Sequence, residues 1–352
     1  MTTALKQPVQ VPQVLDRCRV LVRPALRAAV DRLHPWVGEM AAYSFGWCEV
    51  GGAPTVASGG KGVRQALAVL GAEAAGASAR AGVPAAVAVE LLHTFSLTHD
   101  DIMDGDPARR GRATVWHAYG TGPAVLAGDA LFALAVETLA VTGQGPAALR
   151  LVSRALGDLV RGQADDLLFA DRPWTGPGRV GPAEYRAMAE HKTGALLGCA
   201  LALGALLGGA PAAVVDPLDR AGRHIGVAFQ IVDDVLGVWG DPAVTGKPVH
   251  ADLRERKKTF PVLAALDAPA LDAPGLDAPG LAAPHLAELL ESGDRPAEAA
   301  ALVEEAGGRT TALAEARRHL DAAEAALTEL PLEESALHEL GALLDFLVRR
   351  DL

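Results

Sequence analysis

The chain has 352 residues, of which 50% are hydrophobic but only 4% are aromatic, and it carries a net charge of -11. This acidic balance argues against general binding to nucleic acid or to anionic membranes, so an anionic ligand would need a local cationic pocket. A core built from Ala, Leu and Val favours helices, because Ala and Leu lead the helix scale while strands are richer in aromatic and β-branched residues.

The N-terminal segment lacks the apolar run of a signal peptide, and residues 1–15 are predicted to form a flexible tail. Cys18, Cys48 and Cys199 have neither a CxxC nor a Cys/His metal spacing. We therefore expect free thiols in a reduced, cytoplasmic setting and no disulfide framework.

Helical periodicity recurs along the chain and is interrupted by breakers rich in Gly and Pro. The predicted helices span residues 14–34, 63–80, 84–104, 114–140, 146–168, 182–208, 216–238, 286–305, 308–328 and 333–350. No alternation of strands and helices appears, which argues against a doubly wound α/β fold. We therefore predict an all-α protein in which residues 16–352 form a single domain.

Two segments differ from ordinary helical sequence. Residues 193–215 carry no charge and are long enough to span a bilayer, but their content of Gly, Ala and Pro favours a buried core helix. Residues 266–285 repeat units such as LDAPG, with Pro at every fifth position, which excludes a continuous helix. We predict that they form a low-complexity, Pro-rich surface loop without chemistry of its own.

An acidic cluster ends the predicted helix 84–104. Its sequence places His93, Asp100 and Asp104 on one helical face, where the two carboxylates, one turn apart, repel each other. Mg²⁺ relieves such repulsion, because it binds one or two carboxylates and completes its coordination with water and phosphate oxygens. The alternative is a solvated helix C-terminus, but carboxylates there oppose the helix dipole. The cluster therefore favours a site for metal and phosphate.

Two further polar clusters lie on other predicted helices, in apolar surroundings. Asp233 and Asp234 follow Gln230 in FQIVDDVLGVWGD, and Gln163 precedes Asp166 in GQADD. Cations accompany the three clusters in sequence, namely Lys61, Arg64, Arg109, Arg110, Lys192, Lys247, Lys257 and Lys258. Carboxylates and cations in alternation, with metal and phosphate between them, are typical of a diphosphate site.

In this order the motifs resemble the trans-isoprenyl diphosphate synthases, or polyprenyl synthetases. DDIMDGDPARRG is similar to the first aspartate-rich motif of that family, and GGKGVR precedes it where the homoallylic-binding loop belongs. GQADD, HKTGALL, FQIVDDVLGVWGD and TGKPVHADLRERKKT follow in the family's order. The resemblance covers about residues 20–262 by motif and the C-terminal helices by pattern. A lone DDxxD motif is a weak signal, whereas this ordered set is specific.

The resemblance implies an all-α isoprenoid-synthase helical bundle with a central cavity, usually a homodimer, in which the two acidic motifs face each other. The implied reaction is the Mg²⁺-dependent, head-to-tail condensation of isopentenyl diphosphate with an allylic diphosphate (dimethylallyl, geranyl or farnesyl), which releases diphosphate. The implied metal shell holds three Mg²⁺ ions on Asp100, Asp104 and Asp233, supported by Asp101, Asp166 and Asp234.

The resemblance also implies substrate contacts, in three groups. Those for the allylic diphosphate and its metal shell are Arg109, Lys192, Gln230 and Lys257, and those for isopentenyl diphosphate are Lys61, Arg64, His93 and Arg110. Gln163 and Lys247 join the substrate-binding set, and Thr193 lies beside the reacting carbon. The implied catalytic set is Asp100, Asp101, Asp104, Lys192, Thr193 and Asp233. No side-chain base stands out, so the proton would pass to the released diphosphate.

Two departures from the family pattern bear on activity. Gly62 and Gln65 replace an Arg and a Pro of the first loop, and Gly237 replaces the last Asp of the second acidic motif. Since the resemblance assigns the metal chiefly to the first Asp of that motif, we expect activity to persist.

Product length is implied by the residues just before the first motif, which form the floor of the elongation cavity in this family. Phe95 is bulky, Ser96 is small, and no residue is inserted within the motif. This combination resembles synthases that make twenty-carbon geranylgeranyl diphosphate. A farnesyl or longer product is the alternative.

Two other functions stay open. A class I terpene cyclase shares the fold, but its second metal motif needs Asn or a DTE-like set, and this chain contains no Asn. A non-catalytic partner subunit of another synthase is the second alternative, because Gly62, Gln65 and Gly237 depart from the active pattern.

Overall fold

The protein is described by a computed structural model over residues 9–55, 60, 62–245, 248–268 and 282–348. The helices are α1 Val11–Val30, α2 Pro35–Ser44, α3 Val63–Ala74, α4 Val83–Met103, α5 Val115–Tyr119, α6 Thr121–Ala140, α7 Gly145–Ala170, α8 Pro182–Ala189, α9 Ala195–Leu207, α10 Ala212–Trp239, α11 Pro242–Thr245, α12 Ala251–Arg254, α13 Phe260–Asp267, α14 Ala282–Ser292, α15 Pro296–Glu305, α16 Gly308–Thr328 and α17 Glu334–Val348. A 3₁₀ turn covers Ala79–Gly82, a π-helical segment covers Glu190–Gly194, and the strands β1 Ala108–Arg109 and β2 Arg112–Ala113 form one antiparallel pair. The all-α prediction is confirmed.

The chain divides into two compact units. Unit 1 comprises Met1–Arg154, Cys199–Asp219 and Leu327–Leu343, and unit 2 comprises Ala155–Gly198, Arg220–Ala326 and Leu344–Leu352. Several helices, α7, α9 and α10 among them, contribute residues to both units. The single domain predicted for residues 16–352 stays a prediction.

Helix α4 is the central element of unit 1 and packs against α1, α3 and α6. Pro84 lies in its first turn, where its missing N–H costs nothing, and Ala, Val and Leu side chains fill its buried face. The helix ends at Met103 and is followed by Gly105, whose φ of +69° suits the left-handed residue that commonly stops a helix. This stop places the DDIMD sequence at the helix C-terminus.

Unit 2 contains a close contact between two pairs of glycines spaced four residues apart. A Cβ atom added to Gly226 would lie 2.3 Å from the Cα of Gly194, and one added to Gly222 would lie 2.5 Å from the Cα of Gly198. Since only hydrogens stand between the two backbones, the first part of α10 present in this unit packs directly against the segment that carries Lys192.

The structure corrects several predicted boundaries. Helix α1 begins at Val11 and its residues Val14 and Leu15 are buried, so the tail predicted for residues 1–15 is wrong from residue 11 onward. Residues 1–8 lie outside the described range. The predicted helix 182–208 is not α-helical throughout. Its middle part is the π-helical segment, in which an extra residue is accommodated in the turn while the chain remains helical.

The Pro-rich loop is described only at its ends. Helix α13 reaches Asp267 and helix α14 begins at Ala282, so residues 282–285 are helical where a loop was predicted. A Pro in the first turn of a helix removes no internal hydrogen bond, which explains why Pro284 is tolerated. Residues 269–281, with the rest of the repeat, lie outside the described range.

The uncharged segment forms a buried core helix, as favoured. Helix α9 has 13 residues, with Leu196, Leu197 and Leu201 almost fully buried, and it is too short to cross a bilayer. Two other stretches, Ala79–Met103 and Thr121–Ala140, are long and apolar enough for a span by length and composition. Core helices of soluble proteins pass the same test, so this is weak evidence for a membrane span.

Candidate active site

The end of α4 presents the first acidic motif in unit 1. Asp104 is exposed, Asp100 is half-buried, and Asp101 is buried on the neighbouring face. The Arg109 Nε donates to Asp101 Oδ1 at 2.6 Å. Burial raises the pKa of Asp101 and the positive charge of Arg109 opposes that shift. Arg109 therefore stabilises the one buried carboxylate, while Asp100 and Asp104 lie nearer the surface.

A short hairpin aims the two arginines of the motif. Arg109 pairs with Arg112 across β1 and β2, and the connecting residues Arg110 and Gly111 have φ values of +53° and +73°. Two successive positive φ values are typical of a type I′ turn, which matches the twist of a hairpin. The consecutive side chains of Arg109 and Arg110 thus project differently, one toward Asp101 and the other toward Gly60.

A cationic cluster lies beside α4, one to two turns before the aspartates. Arg64 Nη1 lies 3.2 Å from His93 Nε2, and the guanidinium of Arg110 would lie 3.0 Å from a Cβ added to Gly60. Burial and the charges of Arg64 and Arg110 hold the pKa of His93 well below its usual range. His93 is therefore neutral and accepts from Arg64 through Nε2. The cluster keeps the two positive charges close together, which favours an anionic ligand.

Glu90 balances this cluster from inside α4. Its Oε1 accepts the backbone N–H of Gln65 at 3.2 Å, burial raises its pKa, and Arg64 opposes that shift. Glu90 thus anchors the first turn of α3 next to Arg64.

The first departure from the family pattern is explained by local packing. Gly62 precedes α3 with a φ of +71°, and a Cβ atom there would lie 2.4 Å from the side-chain nitrogen of Gln65. The Gln65 amide therefore occupies the space beside Gly62. A larger residue at position 62 would need both a strained backbone and a displaced Gln65.

The π-helical segment positions Lys192 in unit 2. Lys192 Nζ lies 2.5 Å from Asp166 Oδ2 on α7. A Cβ added to Gly162 would lie 2.2 Å from the backbone nitrogen of Lys192, so this glycine permits α7 and the segment to touch. The prediction had placed Lys192 and Asp166 in one site, and the structure brings them together.

A chain of hydrogen bonds leads from Thr193 to the second acidic motif. The Thr193 hydroxyl donates to Gln230 Oε1 at 2.8 Å, and Gln230 Nε2 donates to Asp234 Oδ1 at 3.1 Å. Asp234 also accepts the Tyr185 hydroxyl and, at 2.8 Å, the Phe260 N–H. Burial raises the pKa of Asp234 to about 7, although these donors favour its charged form.

The second departure is also explained by packing. A Cβ atom added to Gly237 would lie 1.9 Å from Asp252 Oδ2 and 2.5 Å from Asp252 Cγ. Asp252 is only 8% exposed and its charge opposes ionisation of Asp234. A carboxylate from α12 therefore occupies the volume that a side chain at position 237 would need.

Gln163 is buried without a hydrogen-bond partner for its side chain. The residue is 6% exposed, and neither its side-chain oxygen nor its nitrogen has a partner among the residues that the structure describes. A buried amide in this state costs free energy unless a ligand or water completes it. This supports its predicted place in the substrate-binding set.

A model of polyprenyl synthetase matches residues 51–273 of the chain. The chain belongs to the polyprenyl synthetase family. It is 43% identical over 342 residues to a (2E,6E)-farnesyl diphosphate synthase of Mycobacterium tuberculosis, which covers 96% of this chain and 92% of that protein. It is also 43% identical over 258 residues to a geranylgeranyl diphosphate synthase of the same species, covering 72% of each.

The fold comparison agrees. A polyprenyl synthetase of Streptomyces coelicolor superimposes with a TM-score of 0.88 at 46% identity, over 96% of this chain and 99% of that structure. The protein is thus a prenyltransferase of the isoprenoid-synthase fold, and its reaction is head-to-tail prenyl chain elongation. The names of its relatives differ in product length.

The remaining predicted residues fall into two groups. Lys61 and Lys247 lie outside the described residues. Lys257 is exposed, with its Nζ 2.7 Å from Glu255, and Ser96 is buried and donates to the His93 carbonyl.

Sequence reasoning missed several residues that hold the polyprenyl synthetase site in place. They are Glu90, Tyr185, Asp252 and Phe260. Only Glu90 carried a signal, since it lies on the same helix one turn before His93. The others contact Asp234 or Gly237 from distant points of the chain, which no spacing rule reveals.

The donor chemistry fits Mg²⁺. Among the described residues, no group of three or more His, Cys, Asp or Glu side chains could hold a metal ion together. Asp100 and Asp104 instead offer two carboxylates one turn apart, and Mg²⁺ uses one or two carboxylates with water and substrate phosphate as its other ligands.

Proposed function

We propose that this polyprenyl synthetase is a Mg²⁺-dependent, cytoplasmic homodimer that condenses isopentenyl diphosphate with an allylic diphosphate to make geranylgeranyl diphosphate. One observation carries the proposal, namely that Arg64 and Arg110 surround the half-buried His93 next to the carboxylates of α4. Positive charges that are held close together are stabilised by an anion, and a diphosphate supplies one.

In this proposal isopentenyl diphosphate binds to that cluster. Arg64 and Arg110 contact its diphosphate, together with Lys61. His93 is neutral and hydrogen-bonded to Arg64, so it orients that guanidinium without adding a third charge. Glu90 holds the loop end of α3 in place through Gln65.

The allylic diphosphate is held by the other cations and by the metal shell. Arg109, Lys192, Gln230 and Lys257 contact its oxygens or its metal shell. Asp100, Asp104 and Asp233 hold the metal, with Asp101, Asp166 and Asp234 in support. Bound Mg²⁺, for which three ions are proposed, stabilises negative charge on the departing diphosphate. Asp101 and Asp166 position Arg109 and Lys192 through their ion pairs.

The bond changes balance without a side-chain base. The C1–O bond of the allylic diphosphate breaks and its electron pair stays on the diphosphate, whose charge the cations stabilise. The double bond of isopentenyl diphosphate then forms a bond to C1 through its C4 carbon. A proton leaves C2 of that unit to the released diphosphate. Thr193 lies beside the reacting carbon, and its hydroxyl is held by the hydrogen bond that it donates to Gln230.

A twenty-carbon product is supported by Phe95. Its ring lies on α4, five residues before Asp100, which is about 7.5 Å along the helix axis. It contacts the rings of His99 and Phe132, so it is held on its helix by neighbours. A bulky, supported ring at this depth limits the growing chain.

The homodimer is supported by the apolar surface of α6. Val125, Leu126 and Phe132 are 40%, 48% and 38% exposed on that helix. Large apolar side chains on one helix mark an interaction surface more often than a solvated one. Light scattering of the purified protein should give the mass of two chains, and a monomer at micromolar concentration would contradict this.

The activity is tested with purified protein, Mg²⁺, labelled isopentenyl diphosphate and, in separate reactions, dimethylallyl, geranyl or farnesyl diphosphate. We expect dephosphorylated products to be dominated by the twenty-carbon alcohol from every accepted primer. A fifteen-carbon end product, or one longer than twenty carbons, would correct the chain length alone. A hydrocarbon would indicate a cyclase, and no product from the protein alone would favour a partner subunit.

A further inference from the structure

The Phe95 ring contacts two other rings in unit 1, those of His99 and Phe132. Its centroid lies 4.8 Å from that of His99 in an edge-to-face arrangement, and 5.6 Å from that of Phe132 in a tilted arrangement. Aromatic pairs at these separations attract each other beyond the area that they bury. Phe95 and His99 lie one turn apart on α4, whereas Phe132 comes from α6. The ring of Phe95 therefore has support both within its own helix and from the facing one.

His99 is locked in place by a glycine of α6. Its Nε2 donates to the Val125 carbonyl at 3.2 Å, and Asp129 Oδ1 lies 4.0 Å away. A Cβ atom added to Gly128 would lie 2.2 Å from Nε2 and 2.6 Å from Cδ2 of the same ring. The imidazole thus fills the space that a side chain at position 128 would occupy. Any residue larger than glycine at position 128 would displace the His99 imidazole from this position.

We propose that Gly128 and Phe132 of α6 are specificity-determining residues, which set product length by fixing the Phe95 ring through His99 and by direct contact. This inference rests on the proposed elongation of an allylic diphosphate. An unsupported ring can rotate away from the growing chain, because a lone aromatic side chain on a helix has more than one accessible rotamer. The supports on α6 remove that freedom, so the stop is a property of two helices.

Gly128 and Phe132, the two residues of α6 that support the Phe95 ring, differ in solvent exposure. Gly128 is buried, whereas Phe132 is 38% exposed. Truncation of Phe132 removes the ring of α6 that contacts Phe95. A methyl group at position 128 instead displaces His99, the other ring that contacts Phe95. The two changes thus act on Phe95 by different routes and provide independent tests.

The experiment compares the ratio of products longer than twenty carbons to the twenty-carbon product in wild type, Phe132→Ala, Phe132→Tyr and Phe95→Ala. We expect Phe132→Ala to raise this ratio by about two- to tenfold, the range that corresponds to one aromatic pair. Phe132→Tyr keeps the ring and should leave the ratio at the wild-type value. Leu126→Ala, which truncates another exposed side chain of α6, is the matched control and should also leave it unchanged.

Gly128→Ala is tested against Gly122→Ala, which adds the same methyl group on the same helix where nothing lies within 4 Å. We expect the product ratio to change in Gly128→Ala only. Circular dichroism and light scattering check that each variant keeps its fold and its mass. If Gly128→Ala does not fold, Phe132→Ala and Phe132→Tyr decide the question.

Three outcomes are distinct. Wild-type ratios in Phe132→Ala and Gly128→Ala, with a raised ratio in Phe95→Ala, would overturn the role of α6 and leave the proposed function intact. A ratio in Leu126→Ala equal to that in Phe132→Ala would overturn the role of the ring contact. A wild-type protein that incorporates no isopentenyl unit would overturn the proposed function and this inference together.

Discussion

The two acidic motifs are held in opposite ways. Asp100 and Asp104 stand at the C-terminus of α4, where Asp104 is exposed and the helix dipole is unfavourable for a carboxylate. Asp233 and Asp234 lie inside α10, about two turns before its end, and Asp234 is 5% exposed. The first motif therefore lies at an exposed helix end, whereas the second lies in the interior of its helix.

The partners show the same contrast. Asp101, the buried member of the first motif, has one ion pair to an arginine that is 36% exposed. Asp234 accepts from Tyr185, Gln230 and Phe260, all within unit 2. Buried networks of this kind rigidify a site when every member is satisfied. The comparison implies that the first motif adapts to its ligand and that the second is formed before the ligand binds.

The largest effect is expected at the metal-binding carboxylates themselves. Asp233→Ala should lower turnover by at least about 10³-fold. The loss of one group that stabilises charge in an active site lowers turnover by about 10²–10³-fold, and this variant would also lose a metal ligand. Initial rates of isopentenyl incorporation measure the effect. Asp216→Ala, an exposed carboxylate on the same helix, is the control and should be active. Normal turnover in Asp233→Ala would contradict the assignment of Asp233 to the metal site.

The second effect tests whether the second motif is organised in advance. Tyr185→Phe removes one hydrogen-bond donor from the buried Asp234 carboxylate. The free energy of unfolding should therefore fall by about 2–3 kcal/mol. Arg109→Ala removes the corresponding partner of Asp101 but should cost less, because the Arg109 side chain is 36% exposed and water replaces part of its interaction. Urea denaturation compares the two variants, and equal losses would remove the contrast between the motifs.

The sequence predicted the helices that carry both motifs, but not what supports them. Helix α4 was predicted at 84–104 and is found at Val83–Met103, because its apolar periodicity and the Gly105 stop are local signals. Tyr185 and Phe260 approach Asp234 from 49 and 26 residues away along the chain. Such contacts depend on how helices pack, and no local spacing encodes them.

The departures from the family pattern show the same limit. In the sequence, Gly62 and Gly237 stand where the family pattern has larger side chains, which favours the alternative of a non-catalytic partner subunit. In the structure Gln65 and Asp252 fill the two spaces. The π-helical segment and the hairpin at Arg110 were also missed, since both are too short for periodicity to detect.

The third effect tests this filling at Gly237. A Gly to Ala change inside a helix usually stabilises by about 1 kcal/mol. Gly237→Ala should instead destabilise by about 1–3 kcal/mol, because the new methyl group overlaps the Asp252 carboxylate. Adding Asp252→Ala should recover stability in the double variant. Gly157→Ala on α7, where nothing lies within 4 Å, should show the usual gain. A gain in Gly237→Ala would mean that Asp252 does not fill this space.

The last effect concerns a histidine pair that joins α10 to α16 within unit 2, in which His319 is buried and His224 is half-buried. His224 Nδ1 lies 2.9 Å from His319 Nδ1, and Arg318 lies 3.0 Å from His319 Nε2. Burial, followed by the charge of Arg318, lowers the pKa of His319 to about 4, so the folded protein keeps this imidazole neutral. The unfolded chain, with a histidine pKa near 6.5, binds a proton earlier as pH falls.

Stability from this pair is therefore complete above about pH 6.5 and is lost as pH falls from there toward about pH 4. We expect His319→Gln to reduce the loss of unfolding free energy between those pH values by up to about 3 kcal/mol. His338→Gln, on a helix outside the pair, serves as the control. Because α10 also carries Gln230 and Asp234, a wild-type protein equally stable at both pH values would show that this helix is held by contacts other than the histidine pair.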